Sequence, residues 1–133
     1  MLDKSLTEFL EHGLAIHIGT RNEALRPNGC RVTAVRVEDQ GRHLVAYLPK
    51  AATPAVLEDL QSNGQAAVSF ARPTDDRAVQ VKGVFVSARD AEPTEEEFVL
   101  GQWQSLLREL DMIGLAALTS TSTWLMWPCV AST

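Results

Sequence analysis

"CRVTAVRVEDQGRHLVAYL", residues 30 to 48, decides how the rest of the chain is read. Its first half is rich in β-branched residues, Val32, Thr33, Val35 and Val37, which suit a pleated, half-buried surface. A polar turn follows at Glu38 to Gly41, and "RHLVAYL" (42 to 48) returns as a second strand. So short a connection joins antiparallel neighbours, because a parallel pair needs a long crossover.

Outward from this hairpin the same signals recur. "LAIHIGT" (14 to 20) reads as a strand with Leu14, Ile16 and Ile18 on one side. "RNEALRPNG" (21 to 29) has turn chemistry, although Ala24 to Pro27 could already begin the next strand. Residues 3 to 12 form a short helix, with Asp3 as cap, Leu6, Phe9 and Leu10 on one face and Gly13 as its stop. On the other side, "ATPAVLEDLQSNG" (52 to 64) gives a helix with Thr53 as N-cap, Pro54 at its first position and Gly64 just beyond its end. Leu57 and Leu60 supply its inward stripe. "QAAVSFAR" (65 to 72) and "RAVQVKGVFVSA" (77 to 88) are strands joined by the turn "PTDDR". In "TEEEFVLGQWQSLLREL" (94 to 110), Thr94 and Glu97 have capping-box spacing, and Phe98, Trp103, Leu106, Leu107 and Leu110 form a buried stripe. Residues 122 to 131 supply a last strand, with Pro128 pointing to an edge or an end. The expectation is a mainly β (α+β) fold, one domain over residues 1–133: six antiparallel strands closing into a small barrel with flanking helices.

Composition excludes several function classes. A net charge of −5 does not favour nucleic acid as partner. The charge is uneven, with 9 Lys/Arg against 7 Asp/Glu between Arg21 and Lys82 and acidic flanks on either side. A mildly basic centre could serve a small anion such as a phosphate, or could be scattered surface charge. Cys30 and Cys129 are far apart and have neither zinc-site nor disulfide-framework spacing. No apolar run of membrane-spanning length and no leader-like start occurs, so the expected home is a reducing cytoplasm.

Few residues have the setting of a catalytic group. The sequence contains no Gly-x-Ser-x-Gly, no Walker loop and no Gly-x-Gly-x-x-Gly. His12, His17 and His43 lack ligand spacing, so no metal is expected, and no catalytic residue can be named. What stands out is polar content inside strands. Arg31, Arg36, Gln80 and Lys82 interrupt otherwise apolar segments, Tyr47 ends the hairpin, and Lys50 lies just before a helix N-terminus. Arginine offers a forked donor, and glutamine offers a donor and an acceptor to the edge of a heterocycle. A helix N-terminus beside a lysine can cradle phosphate. The other reading is an amphipathic sheet with one wet face.

With those residues in view, the chain resembles the flavin-binding split-barrel family that includes pyridoxamine 5'-phosphate oxidase, over roughly residues 10 to 92. "LAIHIGTRNEALRP" resembles the family's first strand and turn, and "RVTAVR" (31 to 36) its flavin-lining strand. "HLVAYLPKAATPAVLEDLQSNGQAAVSF" resembles its strand, phosphate turn, helix and next strand, and "RPTDDRAVQVKG" its long strand ending in glycine. The resemblance implies a six-stranded split barrel that binds FMN, or a related flavin, at a homodimer interface. It places Arg31 and Arg36 at the phosphate or ribityl end, and backbone near Val32 and Thr33 at the ring. It has Tyr47 and Leu48 lining the ring pocket, Lys50 near the phosphate, Thr53 at the phosphate turn, and Gln80 and Lys82 pointing to the cofactor. It further implies a small flavin-dependent oxidoreductase acting on a small-molecule substrate.

Two departures qualify this. Where the family has a Ser-Arg-Lys-like cluster, this chain has Thr53, Pro54, Ala55 and Val56, so two positive charges are missing. Each lost charge-assisted bond to phosphate costs about 1.5–3 kcal/mol. The Arg-Leu-x-Pro ending of the true oxidase is replaced by "TWLMWPCVAST", which argues against oxidation of pyridoxamine 5'-phosphate itself. The competing expectation is a non-redox sensor holding another planar ligand, such as haem, in the same groove, with His17 or His43 facing it.

Overall fold

The computed structural model describes residues 2–11, 14–49, 54–112 and 128–132. The elements run in chain order α1 (Lys4–Leu10), β1 (Ala15–Arg21), β2 (Pro27–Val32), β3 (Ala34–Glu38), β4 (His43–Pro49), α2 (Pro54–Asn63), β5 (Gln65–Ala71), β6 (Ala78–Val84), β7 (Ser87–Asp90), α3 (Glu96–Met112) and β8 (Pro128–Ser132). They build an α+β fold of two antiparallel four-stranded sheets, ordered β2-β1-β5-β6 and β3-β4-β8-β7.

Among the described residues eight strands stand where the sequence predicts six, because two long runs each split between the sheets. The first breaks at Thr33: Arg31 pairs with His17 of β1, whereas Ala34 pairs with Tyr47 of β4. The Thr33 amide donates to the Tyr47 carbonyl at 2.7 Å and pins the crossing. The second run breaks after Val84, where the Phe85 amide donates to the Gly64 carbonyl at 2.7 Å. β2 also begins at Pro27, inside the stretch read mainly as a turn. The turn proper is tightened around Leu25, whose φ is +62°, and Asn22, whose side chain accepts from the Arg26 amide at 2.9 Å.

Between the sheets lies the main core. Ile16, Ile18, Val32, Val35, Leu44, Leu48, Val68 and Phe70 meet there with Phe9 and Leu10 of α1 and Val56 and Leu60 of α2. Val79, Val81 and Phe85 point into it as the alternation of their strand requires. Asp3 caps α1 by accepting from the Leu6 amide at 2.7 Å. α2 starts at Pro54 and ends before Gly64, whose φ of +71° suits glycine. Gly13, read as the stop of α1, and Thr53, read as the cap of α2, lie outside the described residues.

One local expectation is corrected. Thr94 and Glu97 do not form a capping box: Pro93–Glu95 is a 3₁₀ turn, and α3 starts at Glu96 behind it. Pro128, read as an edge or an end, stands at an end: it opens β8, which lies inside its sheet between β4 and β7. Proline is tolerated there as the first residue of the strand. Among the described residues, no helix is long and apolar enough to cross a membrane.

Candidate functional site

Alternation along the β2-β1-β5-β6 sheet sends one set of side chains to the core and the other outward. Register aligns the outward set in rows. Arg31, His17, Ser69 and Gln80 stand side by side across all four strands. The next row is Gly29, Gly19, Ala67 and Lys82. Beyond it Pro27 pairs with Arg21 and Gln65 with Val84, and the Arg21 and Gln65 side chains meet. This face therefore has a floor of small residues, with cations among them and, among the described residues, no Asp or Glu. In a chain with 17 Asp/Glu that is a marked exclusion. The floor has two shallow depressions. One, of about 400 Å³, lies between Arg21, Gln65 and Lys82, and the other, of about 520 Å³, lies beside His17, Ser69 and Gln80.

Two side-chain hydrogen bonds join neighbouring strands on this face. Gln80 Nε2 donates to Ser69 Oγ at 3.4 Å, and Arg21 donates to Gln65 Oε1 at 3.0 Å. Partial burial, and then the nearby Arg31 charge, hold the His17 imidazole below its ordinary pKa. Burial also lowers Arg31, although an arginine so placed remains a cation.

The second part of the site is the crossing strand β2–β3, which α3 overlies. The Arg31 guanidinium lies 5.8 Å from the centre of the Trp103 ring, and that of Arg36 lies 5.9 Å from Phe98. Between these contacts, the Gln102 carboxamide meets Val35 edge-on. Its Oε1 accepts from the Val35 amide at 2.9 Å, and its Nε2 donates to the Val35 carbonyl. Beneath α3, Tyr47, Ala34, Val45, Ala91 and Val99 form a second, smaller core, with Tyr47 and Phe98 rings 5.8 Å apart. Burial raises the Tyr47 phenol above its ordinary pKa, with Arg36, Glu95 and Arg89 as its charged neighbours. Arg36 pairs with Glu38 at 2.6 Å and Arg89 with Glu95 at 2.5 Å.

The residues singled out from sequence thus fall into two groups. Arg31, Gln80 and Lys82 share the open sheet face. Arg31 and Gln80 sit on opposite edge strands, about 14 Å apart at the usual strand spacing. Arg36 and Tyr47 belong to the other sheet, under α3. Tyr47 and Leu48 have no exposed surface, and Leu48 is part of the main core. Val32 is a core residue, and the Thr33 amide is committed to β4. Lys50 and Thr53 lie outside the described residues. His43 faces Asp39 at 3.5 Å, on β4 of the other sheet. Sequence reasoning missed the part played by Gln102, which stands out only once α3 is docked on β3. Among the described residues, no group of three or more His, Cys, Asp or Glu is placed to hold a metal.

No family model and no curated protein matches the chain. Solved structures do match. An F420 reductase superposes with a TM-score of 0.59 at 16% identity, covering 98% of this chain and 93% of that one. A putative pyridoxamine 5'-phosphate oxidase from Lactobacillus delbrueckii gives 0.58 at 12% identity, covering 98% and 87%. An FMN-binding protein from Syntrophomonas wolfei gives 0.56 at 10% identity, covering 98% and 82%. The chain shares the fold of the pyridoxamine 5'-phosphate oxidase-like proteins, as the sequence resemblance implies.

Proposed function

We propose that this chain is a flavin-binding split-barrel protein that holds FMN, or a related flavin, between two copies of itself and serves as a small oxidoreductase. One observation carries the reading: a four-stranded sheet face with a floor of small residues, cations at Arg31, Arg21 and Lys82, and no carboxylate among the described residues. Such a donor set fits an anionic, planar group. Glycine and alanine leave room for a flat body, the cations answer a phosphate, and the Gln80 amide offers both donor and acceptor to a ring edge. Proteins that share this fold include one described as FMN-binding and one described as an F420 reductase, which supports a flavin-type ligand.

The second copy follows from exposure and charge. The face is open and its depressions are shallow, so a single chain leaves one side of a flat ligand bare, and a partner covers it. Two such faces brought together bare would oppose like charges, and an anion between them removes that penalty. A bound flavin supplies hydride uptake and release at its ring. The chain's residues bind and orient: Arg31, with Lys50, at the phosphate or ribityl end, and Gln80 and Lys82 toward the ring. The substrate is a small molecule reaching the exposed ring face.

The test is a visible absorption spectrum of the purified protein, repeated after addition of FMN and removal of the excess. Retained flavin bands are expected. A protein that stays colourless and retains no FMN overturns the reading. A Soret band on adding haem would replace it with a planar-ligand sensor. Replacing Arg31 and Lys50 together by alanine is expected to weaken FMN binding at least about tenfold with unchanged circular dichroism. Unchanged affinity would remove the phosphate assignment.

A further inference from the structure

A flavin phosphate leaves two cations of the sheet face unanswered. A phosphate monoester carries a charge of about −1.5 to −2 at neutral pH, and Arg31 with Lys50 matches it. Arg21 and Lys82 are then in surplus. Among the described residues neither forms an ion pair. The acidic groups nearby are engaged elsewhere. Glu23 accepts from Ser62 Oγ at 2.5 Å, and Asp59 accepts from Thr20 and Asn28, each at 2.8 Å, on the core side of the sheet.

The two cations line one depression of about 400 Å³, with Gly19 and Ala67 as its floor. Arg21 stands on β1 and Lys82 on β6, with β5 between them, so their backbones lie two strand spacings or roughly 10 Å apart. That width admits a single ring or a short chain. Gln65 fixes the direction of Arg21: its Oε1 accepts from Arg21 Nη2 at 3.0 Å, and the Asn22 carbonyl lies 3.5 Å from Nη1. The rest of the guanidinium and the Gln65 amide N–H groups are unspent among the described residues. The neighbouring depression, beside His17, Ser69 and Gln80, contains no Lys or Arg and suits an uncharged ring instead. The face is thus divided by charge.

We propose that the Arg21–Lys82 depression is a second anion site, separate from the cofactor phosphate, and that it takes the carboxylate or phosphate of a small substrate. The inference rests on the flavin reading above and adds to it a substrate class. The substrate is an organic anion with one ring or a short chain, its charge between Arg21 and Lys82 and its body directed toward Gln80, where the ring lies. Arg21 is then a specificity-determining residue: its fork meets two oxygens of one anionic group, and a neutral analogue leaves it unpaired.

The experiment titrates benzoate, phenyl phosphate and benzamide into the FMN-loaded protein by calorimetry, with circular dichroism and flavin content recorded in parallel. Benzoate or phenyl phosphate is expected to bind at least about tenfold more tightly than benzamide, the value of one charge-assisted hydrogen bond. The tighter of the two anions identifies a carboxylic acid or a phosphate ester as the substrate type. In Arg21→Gln the preference for the anion is expected to shrink to about threefold, the share of an exposed lysine. Lys82→Arg keeps the charge and is expected to keep the preference. If FMN is retained and the wild type binds neither anion more tightly than benzamide, the inference falls and the flavin reading stands. A preference that survives undiminished in Arg21→Gln also overturns it. Release of FMN by benzoate would make the depression the cofactor's own phosphate pocket, and the proposal would be wrong. If the protein retains no FMN, the flavin reading fails and takes the substrate site with it.

Discussion

Among the described residues Asp59 is the carboxylate buried from solvent, and nothing in its neighbourhood of sequence announces it. It is 3% exposed on the inward face of α2, where it accepts from Thr20 Oγ1 and Asn28 Nδ2, each at 2.8 Å. The helix pattern names Leu57 and Leu60 as its inward stripe. The structure buries Leu60, packs Leu57 against the core's margin, and adds Val56 and Asp59 to the buried set. Periodicity reports which face turns inward but not which polar residue finds partners 31 and 39 positions away. Asp59→Leu leaves two donors stranded and is expected to cost about 3 kcal/mol, lowering the melting temperature by roughly 10 °C. A loss under 1 kcal/mol would show that water satisfies these groups without the carboxylate. His17 gives a second test at this scale. Its pKa is lowered in the folded chain, so the unfolded chain binds the proton first as pH falls. The contribution of neutral His17 is complete above about pH 6.5 and is lost as pH falls below it. An NMR titration is expected to place its midpoint below the ordinary histidine value. Arg31→Ala is expected to raise that midpoint in part, because burial is the larger cause and remains. A midpoint unmoved by Arg31→Ala would separate the two side chains electrically.

The hairpin that decides the fold also contains its least replaceable turn. Asp39, Gln40 and Gly41 all have positive φ, at +50°, +55° and +90°. A Cβ at Gly41 would run into the Leu2 carbonyl oxygen, and the Leu2 amide donates to the Gly41 carbonyl at 2.9 Å. The turn therefore closes β3 onto β4 and anchors the start of α1. Gly41→Ala meets both an unfavourable φ and backbone it cannot push aside, and is expected to cost about 2 kcal/mol or more. A thermal melt measures this, and a shift under 2 °C would mean that α1 detaches without consequence. At this scale the sequence was legible wherever a local rule acts, as in the Asp3 cap, the Pro54 start and the alternation of β1, β5 and β6. It was not legible where one run serves two sheets. Nothing in "CRVTAVRVE" marks Thr33 as the crossing, because a strand that changes partners keeps its β-branched composition. α3 likewise showed its apolar stripe but not its partner, since Gln102 acquires a role only against the edge of β3.

Across the whole molecule, the uneven charge of the sequence becomes a surface. Three of the nine basic residues between Arg21 and Lys82, namely Arg21, Arg31 and Lys82, share one sheet face without carboxylates among the described residues, while the acidic run Glu92, Glu95, Glu96 and Glu97 lies at the start of α3. Counting charges could not separate scattered solvation from a face, because the separation depends on register. His17 and Gln80 share a row only because Ser69 stands opposite both. The candidate site was legible as residue types on strands and not as one constellation, because a single chain keeps Arg31 and Gln80 on opposite edges. If a second copy completes the site, the middle of this face is where assembly is most easily broken without touching the core. Ala67 lies there, paired with Gly19 on one side and Lys82 on the other, with its side chain on the outer surface. Ala67→Glu adds bulk and a carboxylate to a floor of small residues, and its own strand pairs are unaffected. The variant is expected to fold with a melting temperature within a few degrees of its parent. It is also expected to sediment as a monomer and to lose FMN retention with the dimer, since ligand and partner would be bound by the same face. Sedimentation velocity with and without FMN reads both effects together. A variant that stays dimeric and keeps its flavin would move the assembly interface, and the ligand with it, to another surface of the fold.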